Sequence, residues 1–293
     1  MTVINTNVAA SITANALTKN ERAMSQAMER LSTGQRINNA GDDAAGLAIS
    51  SRMTSQINGL NMAVRNANDA ISLVQTADGA LVEMSSMLQR MRELAVQATS
   101  GTYSSTDRTA LDVEFEALKA GIQDINADTQ WNGTALLSGG STFTFQVGAN
   151  ASQTIAVTIK DFDVDGDNAS SGVFENIDTA ATYGDDSTED LEGTDIGAST
   201  TEASSSITQL SNAITRVDSV RATLGSVINR LEYAADNLAN VSQNTSASRS
   251  RVLDADYASE TTELAKTQII QQAATAMLAQ ANQQAQSVLA LLR

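Results

Sequence analysis

Apolar residues recur along this chain in alternating steps of three and four. The longest run joins Leu60, Ala63, Ala67, Ala70, Val74, Ala77, Leu81, Met84, Leu88, Met91 and Ala95. Five heptads without a break predict one long, coiled-coil-like helix from about Ala44 to Ala98. At 1.5 Å per residue such a helix extends roughly 80 Å. Asp42 and Asp43, just after Gly41, are its candidate N-caps. A turn-rich stretch over 100–106 interrupts the pattern, and Leu111, Phe115, Leu118, Ile122 and Ile125 resume it in a shorter helix. Far along the chain, Ile207, Leu210, Ile214, Val217, Leu224, Ile228, Leu231, Ala235 and Leu238 repeat the spacing. Arg221 falls on that stripe, which predicts an edge position or an acidic partner. The three stripes can cover one another in one bundle, so segments distant in sequence meet.

The two ends carry more apolar surface than one helix pair can hide. Ala274, Leu278, Ala281, Ala285, Val288 and Leu292 form one stripe, while Ile270, Met277, Leu289 and Leu291 point elsewhere on the same helix. Apolar residues on several faces call for burial on several sides. The opposite end has a thinner stripe, Leu17, Met24, Met28 and Leu31, preceded by Ile4, Val8 and Ile12. Packing between chains is the simplest cover for these residues, and all but the alanines are therefore the candidate polymerisation residues. Between the helical flanks, Phe143, Phe145 and Val147, then Ile155, Val157 and Ile159, alternate with period two around Gly148-Ala149-Asn150, predicting a β-hairpin. Residues from about 163 to 204, rich in Asp, Gly, Ser and Thr, read as loop. The predicted fold is mainly α: long helices from both chain ends in a coiled-coil-like bundle, with a β-hairpin and a small acidic, loop-rich outer segment.

Composition sharpens this picture. The 293 residues hold no Pro, Cys or His, and only 3% are aromatic. A core filled by Leu, Ile, Val, Met and Ala suits closely packed helices, and the lack of Pro favours long ones. Without Cys or His there is no disulfide framework, no thiolate nucleophile and no imidazole to act as base or zinc ligand. Carboxylate or Lys chemistry remains open to such a chain, but most hydrolase and zinc-enzyme readings are excluded, and no enzyme activity and no cofactor are expected. The net charge is −16, and residues 141–204 carry thirteen acidic side chains against Lys160 alone. That excess predicts a self-repelling, solvated surface and argues against a nucleic-acid partner. No apolar run of about 18 residues suggests a membrane span, and the first basic residue is Lys19, so no Sec-type signal is read.

Within the acidic segment, Asp161, Asp163, Asp165 and Gly166 sit at the first, third, fifth and sixth positions of a calcium-loop pattern, with Asp167 beside them. The twelfth position is Gly172 where a bidentate Glu belongs, which favours a plain solvated loop over a metal site. Met84, Met87 and Met91 read as core filler and Trp131 as a packing anchor.

Several long stretches resemble the bacterial flagellin family in order along both flanks, about 1–160 and 205–293. They are Ile4-Asn5-Thr6-Asn7, Leu31-Ser32-Thr33-Gly34-Gln35-Arg36-Ile37-Asn38, Gly41-Asp42-Asp43-Ala44-Ala45-Gly46-Leu47-Ala48-Ile49, Ser250-Arg251-Val252-Leu253-Asp254-Ala255-Asp256-Tyr257-Ala258 and Leu278-Ala279-Gln280-Ala281-Asn282. The sequence departs from the pattern at Gln284-Ala285, near which a Pro often lies in the family.

The resemblance implies a secreted, extracellular subunit that polymerises through its end helices into the flagellar filament for motility. It implies an inner-tube helix and spoke over 1–43, a wall domain over 44–160 and 205–254, a reduced variable segment over 161–204, and a second inner-tube helix over 255–293. It also implies unfolded type III export with a chaperone on the C-terminal helix, and contacts with filament cap and hook-junction proteins. The stretch from Leu88 to Val96 resembles the family motif read by an animal Toll-like flagellin receptor, with Gln89, Arg90, Leu94 and Glu114 as contacts. The plainer reading of that stretch is a wall helix with Leu88, Met91 and Ala95 in the core. The nearest rival is a hook–filament junction protein with related ends. A monomeric adhesin or signalling ligand would leave the apolar ends unexplained. The metalloprotease-bearing variety of the family needs the paired His of its zinc motif, which this chain lacks.

Overall fold

The computed structural model describes residues 7–164, 173–174, 194–197 and 199–291, with the backbone alone at Ala9 and over 284–291. The elements are α1 (Val8–Thr33), α2 (Ala44–Ala98), α3 (Ser105–Asp128), β1 (Gln130–Trp131), β2 (Thr134–Ala135), β3 (Thr142–Gln146), β4 (Thr154–Thr158), α4 (Thr200–Leu253) and α5 (Tyr257–Leu291). They divide into two compact units: a terminal unit of 1–57 with 242–293, and a middle unit of 58–241.

The middle unit is built on the heptad stripe of α2. All eleven stripe residues from Leu60 to Ala95 are buried, none more than 4% exposed. Five of them are Ala, and small side chains at a contact let neighbouring helices approach closely. Phe115 and Ile122 of α3 and Leu210, Val217, Leu224 and Leu231 of α4 join the same core. Burying a Leu, Phe or Met stabilises by about 1.5–3 kcal/mol each, so this shared stripe is the main source of cohesion here. Arg221 is paired as expected, its Nε 2.9 Å from Asp78 Oδ1 on α2.

Local signals set the breaks. Ser104 and Asp107 form a reciprocal capping box that starts α3, satisfying backbone donors that a helix end leaves open. The predicted hairpin is β3–β4, with Phe143 opposite Val157 and Phe145 opposite Ile155. Period-two alternation turns these four toward the core, where Val157 is buried and the other three pack against it. A Cβ added at Gly59 of α2 would lie 3.1 Å from Ala149 Cβ in the hairpin turn, so Gly allows that approach. A second hairpin, β1–β2, turns on Asn132 and Gly133, both at positive φ (50° and 79°). Its two-residue strands are too short for an alternation signal, so the pattern of the sequence did not predict it.

In the terminal unit, α1 begins at an N-cap, Asn7, whose side chain accepts from Ala10 N, and ends at Gly34 in the left-handed region (φ 70°). Asp43 accepts from Gly46 N at 2.9 Å, so it caps the start of α2 as expected. Asp42 does not. Its carboxylate turns back onto the preceding loop, accepting from Asn38 N and Asn39 N at 3.1 and 3.0 Å. α4 continues to Leu253, well beyond the apolar stripe that ends at Leu238, because nothing in the polar stretch after it breaks a helix.

Candidate assembly surface

The ends of the chain meet as an antiparallel helix pair. Asn7 Nδ2 donates to Ala281 O (3.2 Å), Asn20 Nδ2 to Thr267 O (2.7 Å), and Arg30 Nη1 pairs with Glu260 Oε1 (3.1 Å). These three polar contacts fix the register of α1 against α5. Asn20 and Thr267 are both buried, so their bond is shielded from water and costly to lose. Between the polar contacts the inner faces hold Leu17, Met24 and Leu31 of α1 and Ala274, Leu278 and Ala281 of α5, all half-buried.

The connection out of α1 is tied to the end of α4. Arg36 N donates to Leu253 O at 2.7 Å and Ala255 N to Gly34 O at 2.9 Å, making a short bridge between Gln35 and Asp254. Gly34 is needed there twice: its φ is positive, and an added Cβ would come within 3.3 Å of the Tyr257 hydroxyl. Asp42 holds the loop together. Backbone N–H groups of Asn39 and Asn38 keep its carboxyl below the usual carboxylate range, with Gln26 and Arg30 adding to the effect.

Away from the inner seam, the apolar residues face outward. Val8, Ile12, Met28, Ile270 and Met277 are exposed, and Ile269 joins them. Ile4 and Leu292 lie outside the described residues, and no side-chain placement is described for Val288, Leu289 and Leu291. The predicted polymerisation set thus splits into an inner seam and exposed apolar positions outside it. Asn20, Thr267, Arg30, Glu260 and the buried Ile37 were missed. The first four are polar and give no apolar period, and Ile37 stands alone in a loop.

The other candidates lie in the middle unit. Arg90 Nη2 is 2.8 Å from Glu114 Oε1, bridging α2 and α3 on an exposed surface that includes Gln89, whereas Leu94 is 1% exposed in the core. Met84 and Met91 are fully buried, and Met87 and Trp131 pack against the same core. Asp161 is buried and accepts from Asp163 N, while Asp163 accepts from Gln123 Nε2 at 2.7 Å. Asp165 and Asp167 lie outside the described residues. Among the described residues no group of three or more acidic side chains is placed to hold a metal. Among them, too, no helix is long and apolar enough to cross a membrane.

This geometry defines a helical structural subunit, with one unit that fills its own core and one whose apolar face stays open. Residues 4–142 match the bacterial flagellin N-terminal helical region, and residues 207–292 match the bacterial flagellin C-terminal helical region. Flagellin of Bacillus subtilis (strain 168) is 44% identical over 308 aligned residues, covering 99% of each chain. Flagellin of Halalkalibacterium halodurans is 44% identical over 92% of this chain and 91% of its own. The crystal structure of Bacillus cereus flagellin aligns with 59% of this chain and 88% of its own, at 31% identity and a TM-score of 0.46. The chain belongs to the bacterial flagellin family: it is a structural, non-enzymatic subunit of the extracellular flagellar filament.

Proposed function

We propose that subunits of this filament join through the exposed apolar side chains of the α1–α5 pair, Val8, Ile12, Met28, Ile270 and Met277. The observation that carries this reading is the exposure of those side chains on helices whose other faces are already engaged with each other. Ile4, Val288, Leu289, Leu291 and Leu292 extend the same apolar ends in sequence. Ordering two long helices costs conformational entropy that the half-buried seam offsets only in part. Burial against neighbouring copies, at about 25 cal/mol per Å², supplies the rest, so folding of the ends is coupled to assembly. The same apolar C-terminal helix is the segment an export chaperone would cover before polymerisation. Filament cap and hook-junction proteins, carrying related ends, would dock on the same helices.

Electron microscopy of the purified full chain after salting-out or seeding, beside a chain truncated before Ile269, tests the reading. Long filaments from the full chain and none from the truncation are expected. A truncated chain that still forms filaments would remove α5 from the interface.

A second reading rests on the exposed Gln89, Arg90 and Glu114, where the Arg90–Glu114 pair holds a polar surface in place. We infer that a Toll-like receptor would read this surface, with Leu94 supporting it from the core. Arg90→Ala with unchanged filament formation and lost receptor signalling is the expected result.

A further inference from the structure

Two of the exposed apolar residues on the helix pair are thioethers. Met28 is 55% exposed on α1 and Met277 61% exposed on α5. Between the Asn7–Ala281 and Asn20–Thr267 contacts, the antiparallel register sets Met277 level with Ile12, which is 63% exposed. These sulfurs are therefore open to solvent in the single chain, yet sit among the apolar side chains assigned to subunit contact. Other methionines differ: Met84 and Met91 are fully buried in the middle unit, while Met62, exposed on α2, belongs to that unit and not to the helix pair.

We propose that Met28 and Met277 are modification sites for peroxides, and that their oxidation in the unassembled subunit blocks filament growth. The inference rests on the α1–α5 face being the assembly interface. A peroxide transfers one oxygen to the sulfur. The O–O bond breaks and an S–O bond forms, the thioether is oxidised by two electrons to the sulfoxide, and the peroxide is reduced to water or the corresponding alcohol. The product is a strong hydrogen-bond acceptor on a side chain that assembly would bury. A buried acceptor without a donor is costly enough to weaken an interface about tenfold or more. Because each subunit presents both residues, the penalty recurs at every addition. The change is reversible, since sulfoxide reductases restore the thioether. Once polymerised, the two sulfurs are covered, so the gate acts on subunits and not on the finished filament.

The test uses the purified full chain and hydrogen peroxide. Monomer is oxidised until mass spectrometry of peptides shows one added oxygen at Met28 and Met277, and seeded growth is followed by light scattering. The subunit concentration required for growth should rise about tenfold or more, and treatment with both methionine sulfoxide reductases should return it to the starting value. Met28→Leu with Met277→Leu, a near-volume-conserving pair of changes, is compared with its own untreated growth and should need the same subunit concentration before and after exposure, with Met62 oxidised as the internal control. Filaments exposed to peroxide should keep Met28 and Met277 unmodified. Oxidised wild-type subunits that grow at the untreated concentration, or a loss that the Leu variant shares, would overturn the proposal. Should the Leu variant not assemble even untreated, reductase rescue of the wild type decides alone, and its failure overturns the proposal. Failure of untreated wild-type subunits to add to seeds would instead overturn the assembly reading beneath it.

Discussion

Thirty-two apolar side chains are buried in the middle unit among the described residues, against three in the terminal unit: Ala27, Ile37 and Ile57. Among the described residues, large apolar side chains left exposed are divided the other way in proportion, with Val8, Ile12, Met28, Ile49, Tyr257, Ile269, Ile270 and Met277 in the terminal unit. Charge separates the units as well. The middle unit holds twenty-six acidic and nine basic side chains, and the terminal unit eight acidic and nine basic. A unit that buries its own stripe can carry an excess of 17 negative charges, because the repulsion works against a full core. On the proposed interface, a unit covered by copies of itself is better near neutral, since like charges repeated along a polymer would oppose every contact. With the proposed interface, the chain divides its labour between self-sufficient folding in one unit and association in the other.

The most forceful way to break this contrast is to cut each unit at its apolar residues. Leu81→Ala or Phe115→Ala should cost the middle unit about 2–5 kcal/mol, because each leaves a cavity in a core with no exposed flank. Denaturant unfolding of the monomer, followed by circular dichroism, measures the loss. Ile12→Ala should leave that transition within about 0.5 kcal/mol, because Ile12 already faces solvent, and yet abolish growth from seeds. If Ile12→Ala unfolded the monomer as severely as Leu81→Ala, the terminal unit would be self-sufficient and the contrast false.

A smaller effect is expected at the buried amide of Asn20. Asn20→Ala removes a second donor to Thr267 O, whose carbonyl keeps its place in the α5 helix ladder, at a cost of about 0.5–1.5 kcal/mol. Because the bond joins the two chain ends, the loss should show in the thermal dissociation of filaments more than in unfolding of the middle unit. Equal shifts in both would tie the two units into one cooperative block.

How much of this was legible beforehand follows the same division. The α2 stripe made its helix legible, since eleven apolar positions in one register leave a helix little alternative, and the expected span of about Ala44 to Ala98 is the one observed. The β3–β4 hairpin was equally readable from its alternation. The seam of the terminal unit was not, because what fixes it is polar: Asn20, Arg30 and Arg36 reach partners more than two hundred residues away, and periodicity cannot pair them. Asp42 shows a related limit. Two adjacent acids before a helix looked like equivalent caps, and only the loop geometry decided that Asp43 caps while Asp42 binds Asn38 and Asn39. The open face was legible as a surplus of apolar residues, though which of them formed the seam was not.

Within the middle unit, local chemistry should matter less than core volume. Ser104→Ala breaks the capping box of α3 and should cost about 1 kcal/mol, measured by the same denaturant transition, well below the loss at Leu81. A loss as large as the Leu81 cavity would mean that α3 is held by its end and not by Phe115 and Ile122.

The smallest expected effect lies where acidic groups crowd the middle unit. Asp112 of α3 is half-buried, with Asp195 and Glu116 nearby, and its Oδ1 finds no donor among the described residues. A Cβ added at Gly197 would come within 3.1 Å of its carboxylate, so residues 195–197 close over it. Burial first, and then the charge of Asp195, push the Asp112 carboxyl above the usual carboxylate range, against a backbone bond from Ile196 that lowers it. The folded chain therefore holds this proton more tightly than the unfolded chain does. Below the unfolded value both states are protonated and no penalty exists. As pH rises through the folded value the penalty grows to its full size and persists at neutral pH. Asp112→Asn removes the charge while keeping the shape, so it should raise the melting temperature at pH 7 and leave it unchanged near pH 3. The gain should be small, because solvent screens a group that is only partly covered. A variant that gains equally at both pH values would place the benefit in the amide's hydrogen bonding. One that loses at pH 7 would show that Asp112 helps to fasten the acidic segment to α3 in spite of its charge.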